Sequence, residues 1–183
     1  KKDGTKLKPN QIILQVSGNA RTILSCERTA LNLLSRMSGI ATHTNLLVSK
    51  IRKINRKTKL YSTRKTAPGL RFFDKEAVKI GGGHNHRMSL NEMVMIKDNH
   101  LMVSNSMEDI IKNARKRHKN VEVEAENQRD AVFAANSGAT IVMLDNFSPA
   151  QIKKTITALQ KKKLRNKVKL EASGGINSKN IAA

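Results

Sequence analysis

The sequence predicts an α/β protein built on parallel strands, and three observations carry that prediction. Short apolar segments alternate with amphipathic helical segments from about residue 60 to residue 172. Charged or hydroxyl-bearing residues recur at the C-terminal ends of those strands: Arg64 and Lys65, Lys97, Glu124, Asp145 and Ser173. No glycine fingerprint of the dinucleotide-binding kind follows the first strand. Repeated strand-helix units bring each strand back in the same direction through right-handed crossovers, so the sheet is either open and doubly wound or a barrel. The missing fingerprint favours the barrel. There the strand ends form one rim, and residues distant in sequence are expected to line one cavity.

The elements follow in order. Leu24, Leu31, Leu34 and Met37 recur at helical spacing between Ile23 and Met37, with Gly39 as the expected stop. A strand near Leu60 is followed by a helix from about Phe72 to Ile80 and a strand from Met93 to Ile96. Met107, Ile110, Ile111 and Ala114 define the next helix, opened by Ser106 and Asp109 at the spacing of a capping box. Then come a strand from Val121 to Ala125, a helix ending near Gly138 and a strand from Thr140 to Leu144. Ser148-Pro149-Ala150-Gln151 combines an N-cap, a first-turn proline and an N3 glutamine before the helix of Ile152, Ile156 and Leu159. A strand from Val168 to Ala172 and a helix starting near Ser178 complete the reading.

A chain of 183 residues can bury one core, and its 38% hydrophobic content makes that core a modest one. It opens on Lys1 and stops at Ala183 just after a glycine turn, so the expectation is a piece of a longer polypeptide. No stretch resembles a signal peptide or a membrane span, and a soluble protein is expected. The lone Cys26 cannot form an internal disulfide, which fits a reducing cytoplasm. The formal net charge of +21 makes nucleic acid a rival partner, because such a field gathers polyanions. Much of that charge, however, lies in Arg115-Lys116-Arg117-His118-Lys119 and Lys161-Lys162-Lys163, at helix C-termini where cations suit the macrodipole. An aromatic content of 3%, without tryptophan, also leaves few platforms for stacking single-stranded bases.

Cations between apolar segments ask for an anion, since isolated buried charge is costly. Arg64 and Arg87 offer planar forks suited to carboxylates, whereas Lys65 and Lys97 offer compact charges suited to phosphate oxygens. Glu124 and Asp145 can accept from ribose hydroxyls or hold the water shell of a magnesium ion. Ser173, Gly174 and Gly175 form a turn whose backbone amides can approach a phosphate, helped by the helix expected after it. Gly81-Gly82-Gly83 either ends the preceding helix or frees the backbone to aim His86 and Arg87. His84 and His86 lack a third ligand or a cysteine pair at zinc spacing.

Longer motifs run through the same positions. They are Glu27-Arg28-Thr29-Ala30-Leu31-Asn32, Thr63-Arg64-Lys65-Thr66-Ala67-Pro68-Gly69, Gly81-Gly82-Gly83-His84-Asn85-His86-Arg87, Ile96-Lys97-Asp98-Asn99-His100, Val121-Glu122-Val123-Glu124, Leu144-Asp145-Asn146-Phe147 and Glu171-Ala172-Ser173-Gly174-Gly175-Ile176. Together they resemble the quinolinate phosphoribosyltransferases of NAD biosynthesis. The resemblance implies an incomplete α/β barrel at residues 23–183, preceded by a remnant of an N-terminal α/β sandwich at residues 1–22. It implies that Arg28, Arg64, His86 and Arg87 bind quinolinate, with Thr63 beside them. Lys65, Lys97, Glu124 and Asp145 would bind phosphoribosyl pyrophosphate and its magnesium, Glu124 and Asp145 reaching the metal through water or substrate. The Ser173-Gly174-Gly175 loop would take the 5-phosphate. Lys97, Glu124 and Asp145 would be catalytic, and Arg28 would enter the site of a neighbour in at least a dimer. The products would be nicotinate mononucleotide, pyrophosphate and carbon dioxide. A related molybdenum-operon protein of the same fold and a basic nucleic-acid-binding protein are the alternatives. Neither a membrane nor a specific nucleic acid is expected as a partner.

Overall fold

The computed structural model describes residues 1–88, 93–97 and 106–183, which fall into two compact units, Lys1–Met88 and Ser89–Ile181. Asp98, Asn99 and His100 lie outside the described residues.

In the first unit, helix α1 (Ala20–Ile54) dominates. Asn19 caps it by accepting from the Thr22 amide, and Arg52 and Lys53 sit in its last turn, where the dipole favours cations. The helix was expected to stop at Gly39, but it continues for fifteen residues. A mid-helix glycine costs only about 1 kcal/mol against alanine. Beyond it Thr44, Val48 and Ile51 recur on one face and are buried, so packing overrides the break. By contrast Leu24, Leu31 and Leu34, expected to form the apolar face, are exposed, Leu24 to 71%. The expected junction at residue 22 falls three residues inside this helix.

Strand β1 (Tyr61–Ser62), helix α2 (Arg71–Ile80) and strand β2 (His84–Asn85) form a parallel βαβ unit, with Tyr61 opposite His84 and Ser62 opposite Asn85. β2 is an addition to the expected elements; at two residues it is too short for any hydrophobic period to mark it. The glycine run joins α2 to β2 for steric reasons. A Cβ on Gly81 would lie 2.5 Å from the Ala41 carbonyl and 2.7 Å from Thr44 Cβ, and one on Gly83 would lie 2.9 Å from Thr44 Cγ2. The run therefore lets α2 close onto α1, and the Gly83 amide reaches back to the Val78 carbonyl to finish the helix.

In the second unit β3 (Val94–Ile96), β4 (Val121–Ala125), β5 (Ile141–Asp145) and β6 (Lys169–Ser173) form an all-parallel sheet in chain order. Helices α3 (Met107–Arg117), α4 (Gln128–Asn136) and α5 (Pro149–Lys161) make the crossovers. Ser106 and Ser148 cap α3 and α5 as their spacing predicts, the second as a complete capping box. The core joins Val121, Val123, Ala125, Val142 and Leu144 to Ile111, Ala131, Ala134 and Leu159, so all three helices cover one sheet face. Strands in chain order with every helix on the same side are the wall of a barrel. A doubly wound sheet would reverse its order and place helices on both faces. Among the described residues β3 and β6 remain edges, which makes the barrel incomplete. The cationic runs 115–119 and 161–163 are exposed at the ends of α3 and α5. The helix expected from Ser178 is replaced by turns, with one i→i−4 bond, from the Ile181 amide to the Asn177 carbonyl. One such bond does not repay helix nucleation.

Candidate functional site

The first unit carries the cationic half of the predicted constellation on two loops. β1 runs into the Thr63–Gly69 segment, where the Lys65 amide donates to Thr63 Oγ1 at 3.1 Å. Thr63 and Lys65 are exposed and Arg64 is half-buried. Arg64 Nε is buried and has no hydrogen-bond partner among the described residues. His86 and Arg87, both half-buried, follow β2 on the neighbouring strand. Parallel pairing thus brings Arg64, Lys65, His86 and Arg87 to the same ends of two adjacent strands. Arg28 is exposed on the N-terminal half of α1, and no hydrogen bond or ion pair among the described residues joins it to either loop. A cleft of about 260 Å³ is lined by Thr63, Lys65 and Thr66 on one side and Arg36, Asp74 and Lys75 on the other.

Both loops are tied to α2. Asp74 accepts a bidentate pair from Arg36 at 2.7 and 2.8 Å and also the Ala67 amide at 3.2 Å. The Arg36 bonds hold the Asp74 carboxyl below the usual carboxylate range, with the Ala67 amide adding to the effect against the cost of burial. The next residue, Lys75, is fully buried, and its ammonium donates to the carbonyls of His86 at 3.0 Å and Arg87 at 3.3 Å and to Ser62 Oγ at 3.4 Å.

The second unit carries the lysine, carboxylates and glycine turn of the predicted constellation. Register places Glu122 opposite Ile141, Glu124 opposite Met143, Met143 in turn opposite Glu171, and Asp145 opposite Ser173. Strand side chains alternate between faces. Val121, Val123, Val142 and Leu144 enter the helix-covered core, so Glu122, Glu124, Asp145, Glu171 and Ser173 share the opposite face. Lys97 directly follows β3 and forms a close ion pair with Glu124 Oε2. Asp145 is the last residue of β5, and Asn146 Nδ2 donates to its Oδ2 at 2.8 Å. Asn146 adopts a left-handed backbone with φ 57°, and its amide donates to the Ser173 carbonyl at 2.8 Å. Its side chain lies over Gly174, where a Cβ would meet Asn146 Oδ1 at 2.0 Å; with φ +84° as well, only glycine suits that position.

Glu124 and Asp145 are hard oxygen donors of the kind magnesium takes. They lie diagonally on adjacent strands of one face, roughly 8 Å apart at Cα by ordinary sheet spacing, a separation suited to contact through the ion's water. Gly174 and Gly175 both adopt left-handed backbone, with φ of +84° and +65°. The helix dipole expected behind that loop is absent, because Ser178 opens turns rather than a helix.

Four residues of these surroundings were not singled out from sequence. Glu122 and Glu171 join the polar face, and the alternation Val121-Glu122-Val123-Glu124 is the signal that could have found the first. Asp74 and Lys75 sit inside while Phe72, on the same helix, is 62% exposed. No hydropathy pattern announces that inversion.

Parallel strands in chain order, with a lysine, carboxylates and a glycine turn at their ends, define an α/β protein of the barrel type. The chain belongs to the quinolinate phosphoribosyl transferase family: residues 40–183 match the model of its C-terminal domain and residues 1–38 that of its N-terminal domain. Among relatives, a probable nicotinate-nucleotide pyrophosphorylase (carboxylating) of Archaeoglobus fulgidus is 45% identical over 182 residues, covering 100% of this chain and 70% of the relative. The nicotinate-nucleotide pyrophosphorylase (carboxylating) of Homo sapiens is 39% identical over 98% of this chain and 61% of its own length. The crystal structure of NadC from Streptococcus pyogenes superposes with a TM-score of 0.88 at 40% identity, over 99% of this chain and 62% of that one. The chain thus spans between three-fifths and seven-tenths of the length of these relatives.

Proposed function

We propose that this chain carries the phosphoribosyl-transfer chemistry of a quinolinate phosphoribosyltransferase. The observation that carries the reading is the placement of Lys97, Glu124, Asp145 and Ser173 at successive strand ends in a chain of this family. Arg64, His86 and Arg87, with Thr63 beside them, take the two carboxylates of quinolinate. Lys65 and Lys97 take phosphate oxygens, and Ser173, Gly174 and Gly175 take the 5-phosphate of phosphoribosyl pyrophosphate. Glu124 and Asp145 orient the ribose hydroxyls and hold magnesium, which when bound shields the charge of the pyrophosphate.

The pyridine nitrogen forms a bond to ribose C1 as the C1–oxygen bond breaks and pyrophosphate leaves with the electron pair. The adjacent carboxylate then departs as carbon dioxide. Its electron pair stays on the ring carbon beside the cationic nitrogen until that carbon takes a proton. Fixed cations stabilise both steps, so positioning and electrostatics do the catalytic work. No covalent nucleophile is needed.

Arg28 completes a neighbouring protomer's site in this reading. Support comes from its exposure beside Leu24, Leu31 and Leu34, an apolar half-helix that a second subunit would cover. Among the described residues no helix is long and apolar enough to cross a membrane, and the exposed free Cys26 suits the cytoplasm. The test is nicotinate mononucleotide formation by the full-length protein from quinolinate, phosphoribosyl pyrophosphate and magnesium, with Lys97→Ala as the control expected to fail. Absence of product from the parent, together with salt-sensitive binding to arbitrary duplex DNA, would replace this reading with the nucleic-acid one.

A further inference from the structure

We propose that Lys75 is a positioning residue for the quinolinate clamp, acting through the backbone of His86 and Arg87; this rests on the function proposed above. Lys75 is fully buried, and an ammonium is an expensive space-filler where an apolar side chain of its length would serve. Its Nζ reaches two consecutive carbonyls, those of His86 at 3.0 Å and Arg87 at 3.3 Å. Holding successive carbonyls fixes the orientation of both peptide planes, and with them the directions in which the two side chains leave the chain. Ser62 Oγ, which lies 3.4 Å from Nζ, passes the restraint on by donating to Asn85 Oδ1 at 3.0 Å. The paired ends of β1 and β2 are thereby fastened to the same point.

The residue before it does the same for the other loop. Asp74 holds the Ala67 amide, in the segment that carries Arg64 and Lys65, and is itself gripped by Arg36. Two adjacent, oppositely charged residues of one helix therefore support the two cationic loops. Rigid support of this kind is what a carboxylate clamp requires, because its forks must stand ready before the dianion arrives.

The test is Lys75→Met in the full-length protein, read as separate substrate constants. The expected result is a rise of about tenfold or more in the KM for quinolinate, with the KM for phosphoribosyl pyrophosphate within about twofold of the parent. A purely structural role would move both constants or neither, and either outcome overturns the proposal. If Lys75→Met fails to fold, Ser62→Ala retains the buried lysine and removes one of its acceptors. It should raise the quinolinate KM about threefold, without the other substrate's constant following, as loss of one modest hydrogen bond implies. Unchanged quinolinate binding in Ser62→Ala would then overturn it. A parent that turns over quinolinate while the variants match it defeats this inference alone; a parent that does not turn it over defeats the functional reading and this inference together.

Discussion

Gly174→Ala should lower stability by about 2–3 kcal/mol, and the sum can be taken apart. Alanine at φ +84° pays about 1–2 kcal/mol for its left-handed backbone. Its Cβ would also stand 2.0 Å from Asn146 Oδ1 and 2.6 Å from Asn146 Cγ, so the amide side chain must move. Moving it breaks the bond from Asn146 Nδ2 to Asp145 Oδ2, worth about 0.5–1.5 kcal/mol at an exposed site. The assay is urea denaturation of the full-length protein, run for Gly174→Ala alone and in an Asn146→Gly background. Removing the Asn146 side chain abolishes the collision and leaves the backbone strain, so in that background the penalty should fall to about 1–2 kcal/mol. Parental stability in the single variant, or an equal penalty in both backgrounds, would refute the account of Gly174 as the seat of Asn146. Turnover should fall as well, because the displaced amide no longer orients Asp145.

Asp74 gives an acid-sensitivity prediction. Its folded pKa lies below the ordinary carboxylate value, so it contributes stability at neutral pH that disappears as pH falls below about 4 through the lowered folded value. Asp74→Asn should therefore flatten the fall of the denaturation midpoint on acidification below pH 4; an unchanged slope would show that other carboxylates account for it. Arg28 gives a mixing prediction. Arg28→Ala and Lys97→Ala proteins, each inactive alone, should regain up to about a quarter of the parental sites after subunit exchange in a symmetric dimer, and mixtures that stay inactive after verified exchange would remove Arg28 from a shared site.

Much of the barrel wall was legible because β4, β5 and β6 are bounded by turn residues and separated by helices with unambiguous caps. Ser106 and Ser148 mark their helix starts to the residue, and the structure begins α3 and α5 immediately after them. The polar strand ends were legible for the same reason: once a strand is placed, its last residues follow. What escaped the sequence is tertiary in origin. Gly39 reads locally as a stop, but burial of Val48 and Ile51 against α2 carries the helix past it. Lys75 lies on a helix whose hydropathy does not mark it as buried, and its bonds to the His86 and Arg87 carbonyls and to Ser62 Oγ form only once the chain has folded. Glu122 lay in plain alternation with Glu124, and burial of Val121 and Val123 in the helix-covered core puts both on the opposite face.

The uninterrupted α1 changes what the family's two domains mean for this chain. The N-terminal match ends at residue 38 and the C-terminal match begins at residue 40, so the seam between them is Gly39, midway along a rod of 35 residues and about 52 Å. A seam inside a continuous helix is no hinge, since the hydrogen-bond ladder crosses it and any torque on one side reaches the other. Cutting there would leave the C-terminal piece with a bare helix start, deprived of the Asn19 cap and with its first amides unpaired. The segment before the seam holds the cap and first turns of a helix whose second half, at Ala41 and Thr44, seats the glycine run leading to His86 and Arg87.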